Sequence, residues 1–98
     1  MVTAIVLIRA AEREIHPLAE RISEIDGISE VYSVAGEFDL VAIARVPKLE
    51  DLEELVTRRV ATEPGIERTE TLTAFKVYSR YDLEHLFSIG LEEPPPTG

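Results

Sequence analysis

The 98-residue chain uses one unit twice. An offset of 38 residues lays Gly27 on Gly65 and Ile28 on Ile66, and it also carries Leu18 onto Val56, Ile22 onto Val60 and Val34 onto Leu72. Extended toward the N-terminus, the same offset sets Val2, Ala4, Val6 and Ile8 opposite Leu40, Ala42, Ala44 and Val46. Each copy starts with an apolar run of strand length, passes through a helix-spaced segment, and ends at a Gly-Ile pair that opens a second, half-polar run. Strand-helix-strand used twice is the split βαβ order of a ferredoxin-like α+β domain, βαββαβ.

The first strand, Val2 to Arg9, is apolar on both faces. Val2, Ala4, Val6 and Ile8 point one way and Ile5 and Leu7 the other, which places the strand inside a sheet. The third strand, Leu40 to Val46, has the same character, with Leu40, Ala42 and Ala44 against Val41 and Ile43. The second strand, Ile28 to Ala35, mixes Ser29, Glu30 and Ser33 with Val31, Tyr32 and Val34, as an edge strand does. The fourth, about Ile66 to Ser79, carries Thr69, Thr71 and Thr73 in alternation, which suits an edge or a surface facing a partner. Two central and two edge strands give the antiparallel order 4-1-3-2.

Pro17 is tolerated only in the first turn of a helix, so the first helix starts close to His16. Its inward stripe is Leu18, Ile22 and Ile25, and Asp26-Gly27 ends it with a left-handed cap. Pro47 closes the third strand. Leu49, Leu52, Leu55, Val56 and Val60 form the stripe of the second helix, whose acidic start and basic end suit the macrodipole, and Pro64-Gly65 stops it.

Right-handed crossovers put both helices on one face of the sheet. The other face, with Ile5, Leu7, Val41 and Ile43, is left bare, and a bare apolar face of this extent marks an interaction site. A second copy is expected to cover it, making these four residues a dimer interface. The competing arrangement folds the C-terminal segment back over the face, since Tyr78 to Leu91 holds Leu83, Leu86 and Phe87 at helical spacing behind Asp82. A domain of this size buries only about 60 to 65% of its unfolded surface, so a partner subunit would add useful burial. Residues 1–91 are thus read as one domain, and the proline-rich residues 92–98 as a disordered tail.

Nineteen acidic residues against ten basic ones give a net charge of −9, a field that repels phosphate backbones and argues against direct contact with nucleic acid or an anionic membrane. No apolar run is long enough to span a bilayer and no leader is recognisable, so a cytoplasmic location is expected. Cysteine is absent, which removes disulfides and thiolate chemistry. His16 and His85 have no metal-ligand spacing and no linked nucleophile, and there is no glycine-rich phosphate loop. No metal, cofactor or catalytic residue is assigned.

The run Ile28-Ser29-Glu30-Val31-Tyr32-Ser33-Val34-Ala35-Gly36-Glu37-Phe38-Asp39-Leu40 resembles the strand, Gly-Asp-Tyr-Asp-type turn and strand of the effector-binding (RAM) domain of the Lrp/AsnC transcription regulators. Pro64-Gly65-Ile66 followed by Thr69-Glu70-Thr71 is similar to that family's Pro-Gly-Val with its Thr-x-Thr strand. The likeness covers about Val2 to Phe87. Glu37 and Phe38 replace the more usual aspartate and tyrosine, whereas Gly36 and Asp39 are kept. Because the chain starts at the first strand of the effector domain, it looks like a stand-alone form without the helix-turn-helix that reads DNA.

The resemblance implies dimers formed through sheet faces and stacked into rings of four or five, octamers or decamers, with an amino acid held in clefts between dimers. Carried onto this chain, the cleft would be lined by Gly36, Glu37, Phe38 and Asp39, with Ser33, Val34, Thr69 and Thr71 close by. A glycine turn supplies backbone N–H donors for a carboxylate, and Asp39 or Glu37 supplies acceptors for an ammonium. Removing the Asp39 side chain is then expected to weaken the ligand and spare the fold. Each residue also has a structural role open to it: Gly36 as the positive-φ residue of the hairpin, Asp39 as a bond to the turn backbone, and the serine and threonines as plain strand residues. Two other functions stay open. The chain could be a ligand-free assembly partner of a full-length Lrp/AsnC regulator, or a cofactor-independent ferredoxin-like monooxygenase, for which the residue chemistry is thin.

Overall fold

Branched aliphatics at alternating positions commit β1 (Val2–Ala10) and β3 (Leu40–Val46) to the middle of one antiparallel sheet. In the computed structural model, which describes residues 1–78 and Arg80, they pair from Val2 opposite Val46 to Ile8 opposite Leu40. β4 (Ile66–Thr73) lies along the outer side of β1, with Ala4 opposite Thr73 and Ile8 opposite Thr69. β2 (Ile28–Ser33) lies along the outer side of β3, with Tyr32 opposite Val41. The order β2-β3-β1-β4 is the expected 4-1-3-2 read from the other edge, and the fold is ferredoxin-like α+β.

The helices are α1 (Ile15–Ser23), entered through a 3₁₀ turn at Glu12–Glu14, and α2 (Leu49–Glu54), continued by a π-helical segment at Leu55–Val60. Both pack on the face that carries Ala4, Val6, Ile8, Leu40, Ala42 and Ala44, and all six are completely buried. Leu18 and Ile22 of α1, with Leu52, Leu55 and Val60, close this core. Each large aliphatic buried there contributes about 1.5 to 3 kcal/mol.

Several boundaries differ from the sequence expectation. α1 ends at Ser23 and not at Asp26-Gly27, because Glu24 and Ile25 donate to the carbonyls of Arg21 and Ile22 at 3.2 and 3.1 Å and tighten the chain out of the helix. Gly27, at φ +99°, serves the following turn into β2. β2 stops at Ser33, two residues short of Ala35. β4 stops at Thr73, although Ala74 still donates to the carbonyl of Thr3 at 2.8 Å; Ser79, its expected end, lies outside the described residues. So do Asp82, Leu83, His85, Leu86, Phe87 and the expected tail at 92–98.

The stripe of the second helix holds for Leu52, Leu55, Val56 and Val60 and fails at Leu49, which is 63% exposed. Leu49 sits in the first turn, beside the Lys48 cap whose N–H donates to Asp51 Oδ2 at 3.2 Å, and no layer covers it there. The five-residue gap from Leu55 to Val60 is one π-turn, and the Ala61 N–H accordingly donates to Val56 O at 2.8 Å. That wider turn is what returns Val60 to the core.

The two repeated glycines do equivalent work. Gly65, like Gly27, has a positive φ, at +95°. Its carbonyl accepts from Ala11 N–H at 2.9 Å, and that of Gly27 from Arg45 N–H at 2.8 Å. A Cβ on Gly65 would stand 2.7 Å from Cβ of Glu14. Gly65→Ala is therefore expected to lower stability by about 1 to 3 kcal/mol, read as a fall in the urea midpoint.

Candidate functional site

The chain leaves β2 and enters β3 through a turn at Val34 to Asp39, and backbone and side-chain bonds fix it against the end of β1. Val34 N–H donates to Asp39 O at 2.9 Å, closing the turn, and Asp39 N–H donates to Ile8 O at 2.9 Å. The Asp39 carboxylate then reaches past β1, where Oδ2 accepts from Ala10 N–H at 2.8 Å. Asp39 thus has a structural bond of its own. Ala10 is buried, so Asp39→Ala would strand its N–H at a cost of about 1 to 3 kcal/mol, and the substitution would bear on stability as well as on any ligand.

Arg9, the last charged residue of β1, donates through Nη2 to the carbonyl of Glu37 and holds the turn from the other side. Nε of the same guanidinium is buried and has no hydrogen-bond partner among the described residues. Arg68 of β4 stands opposite Arg9 in the register; its guanidinium lies 5.5 Å from the centre of the Phe38 ring and 3.9 Å from Glu37 Oε1. Gly36 has φ +142°, a conformation open to glycine, and a Cβ there would meet nothing within 4 Å. Glycine is needed at this position for its backbone angle, and the space above it is free.

A hollow of about 360 Å³ opens between these parts. Arg9, Ala10 and Glu12 wall one side, Gly36, Glu37 and Asp39 the other, and Glu67 closes it from β4. Four carboxylates around one guanidinium favour a cationic group, and the arginine with the turn backbone favours an anionic one. Among the described residues no group of three or more His, Asp or Glu is arranged to hold a metal ion, and no helix is long and apolar enough to cross a membrane.

The structure brings together Gly36, Glu37, Phe38 and Asp39. Ser33 ends the strand that leads into the turn and Val34 begins the turn, both exposed. Thr69 is beside Arg68 but pairs with Ile8 and shares its helix-side face, and Thr71 pairs with Val6 and lines a different hollow, against α2. The threonine row therefore faces the helices, and the open face of β4 presents Arg68, Glu70 and Leu72 instead. Sequence reasoning missed Arg9, Glu12, Glu67 and Arg68; the one signal for Arg9 was a charge ending an otherwise apolar strand.

The four expected interface residues do share the open face, where all are half-buried. Ile5 lies between Ile43 and Leu72, and Leu7 between Val41 and Glu70. Around this strip stand Arg45 with Glu30 at 3.7 Å and Arg68 with Glu70 at 3.6 Å. The Tyr32 hydroxyl donates to Glu30 Oε2 at 2.8 Å, and that bond holds its pKa above the ordinary phenol value.

A ferredoxin-like sheet with one open face and a glycine-centred turn at its end defines the class. Residues 3–83 match the family model of the Lrp/AsnC ligand binding domain, and the chain belongs to that family. An uncharacterised HTH-type transcriptional regulator of Pyrococcus furiosus is 32% identical over 75 residues, 76% of this chain and 50% of that protein. The chain thus spans about half the length of the curated relatives it matches. A protein from Thermus thermophilus with a known crystal structure is 46% identical, with a TM-score of 0.77 over 82% of this chain and 100% of that one. A feast or famine regulatory protein from M. tuberculosis, solved in complex with L-methionine, is 28% identical, with a TM-score of 0.68 over 82% of this chain and 54% of that one.

Proposed function

We propose that this chain is an oligomeric amino-acid-binding module that serves transcription regulation in the cytoplasm, with its ligand held at the Gly36–Asp39 turn and no catalytic step. The observation that carries the reading is the turn itself: it is clamped to β1 by Asp39 and Arg9, its glycine stands under open space, and the adjoining Arg9 Nε is buried without a partner among the described residues. A ligand carboxylate would take N–H donors from the Gly36-Glu37 backbone and from Arg9. Its ammonium would meet Glu37, Asp39 Oδ1 or the flanking Glu12 and Glu67. Phe38, half-buried beside Arg68, would bound the side chain of the amino acid.

Two copies would pair through their open faces, using Ile5, Leu7, Val41 and Ile43 together with Leu72, and dimers would join into rings of four or five. A ligand lying between dimers acts by binding one assembly state better than another, and a full-length Lrp/AsnC regulator is the natural recipient of that signal.

Asp39→Asn tests the site. Asparagine keeps an oxygen for Ala10 N–H and removes the charge, so stability should change by no more than about 1 kcal/mol. Affinity for the amino acid, with L-methionine as the first probe in titration calorimetry, should fall roughly tenfold or more. Unaltered affinity in a folded variant would move the site away from this turn.

A further inference from the structure

The end of the sheet opposite the glycine turn is apolar and exposed. β1 begins there, β3 and β4 end there, and α2 starts there. Leu49 is 63% exposed, Val77 60%, and Phe75 has no cover at all at 103%. Next to Leu49 lies a hollow of about 320 Å³, walled by Leu52 and Val56 of the helix and by Thr71 of the edge strand, with Glu53 at its rim. Phe75 lies two residues past the end of β4, where the chain bends, and its ring is fully exposed. It is not among the residues that wall the hollow of its own subunit.

We propose that this hollow receives Phe75 from a second copy, so that Phe75–Tyr78 is a docking arm and the α2-β4 groove its receptor. Charge matches along the contact. Lys76 follows Phe75 in the arm, and the receptor helix carries Glu50 and Glu53 where the arm would lie. In the subunit alone the Lys76 ammonium rests 5.5 Å from the Tyr78 ring, a weak exposed contact that a carboxylate of the second copy can replace. The outer edge of β4 is unpaired among the described residues, so an arriving extended segment also finds backbone donors and acceptors. An arm passed from one subunit to the next is a contact separate from the open sheet face, and the two used together build assemblies larger than a dimer.

Sedimentation equilibrium on the full chain decides this with Phe75→Ala, Leu49→Glu and Lys76→Glu, the last both alone and combined with Glu53→Lys. All three single substitutions lie at exposed positions, so circular dichroism should stay that of the folded subunit. Phe75→Ala and Leu49→Glu should weaken association at this contact roughly 10- to 100-fold. Lys76→Glu should weaken it less, and adding Glu53→Lys should restore it, which loss of a merely apolar surface would not do. A mass unmoved by Phe75→Ala and Leu49→Glu overturns the proposal, as does a wild-type chain that stays monomeric. A lower thermal midpoint with no change of mass would place the arm on its own subunit and overturn it equally.

Discussion

Leu7→Glu is expected to leave a folded chain that no longer pairs through its open sheet face. Leu7 lies on the open face of β1, between Val41 on β3 and Glu70 on β4, away from both α1 and α2. In a monomer the new carboxylate stays in water and the core behind it is untouched. Between two sheets it would be desolvated with Glu70 directly alongside, and an unpaired buried charge costs several kcal/mol. Combined with Phe75→Ala, so that the arm contact is absent as well, sedimentation equilibrium should read a single subunit and far-ultraviolet circular dichroism a native fold. A dimer that survives both substitutions would remove the open face as the interface, and with it the role proposed for Ile5, Val41 and Ile43.

One residue further on, the consequence reverses. Ile8 is completely buried beneath the helices, and Ile8→Ala should cost about 2 to 5 kcal/mol of stability, the range for deleting a large aliphatic from a closed core. A domain of this size has only about 5 to 15 kcal/mol in total, so the variant should unfold at a much lower urea concentration or fail to accumulate. The effect should reach the proposed ligand site, because the carbonyl of Ile8 anchors Asp39 N–H. A loss below about 1 kcal/mol would mean that the core is not organised around β1. The pair of adjacent substitutions thus separates assembly from folding on one strand.

Strand alternation makes most of the fold legible. Where every second residue is aliphatic on both faces, as in β1 and β3, the bounds and the central position follow directly, and the repeated Gly-Ile pair locates both turns. The π-segment is hidden because a gap of five between Leu55 and Val60 has no counterpart in 3.6-residue periodicity. Leu49 reads as core since periodicity gives a face but not how far the opposing layer extends. Polarity alone assigns the threonine row to an edge or a partner-facing surface; β4 is an edge strand, and only the pairing of Thr69 with Ile8 and Thr71 with Val6 shows that the row faces the helices. Of the site, the turn is visible as a motif, whereas Arg9 and Arg68 enter it through register between strands far apart in sequence.

The central claim is that an amino acid binds at the glycine turn, and the most direct test is a thermal-shift series of the purified wild-type chain against each proteinogenic amino acid, repeated with Asp39→Asn. A ligand at 100 times its dissociation constant adds about 2.7 kcal/mol per site, enough to raise the midpoint of a domain this size by several degrees. We predict a rise with one or a few amino acids, much reduced in Asp39→Asn. A flat response across the whole series would contradict the account and leave this chain as an assembly partner without a ligand of its own.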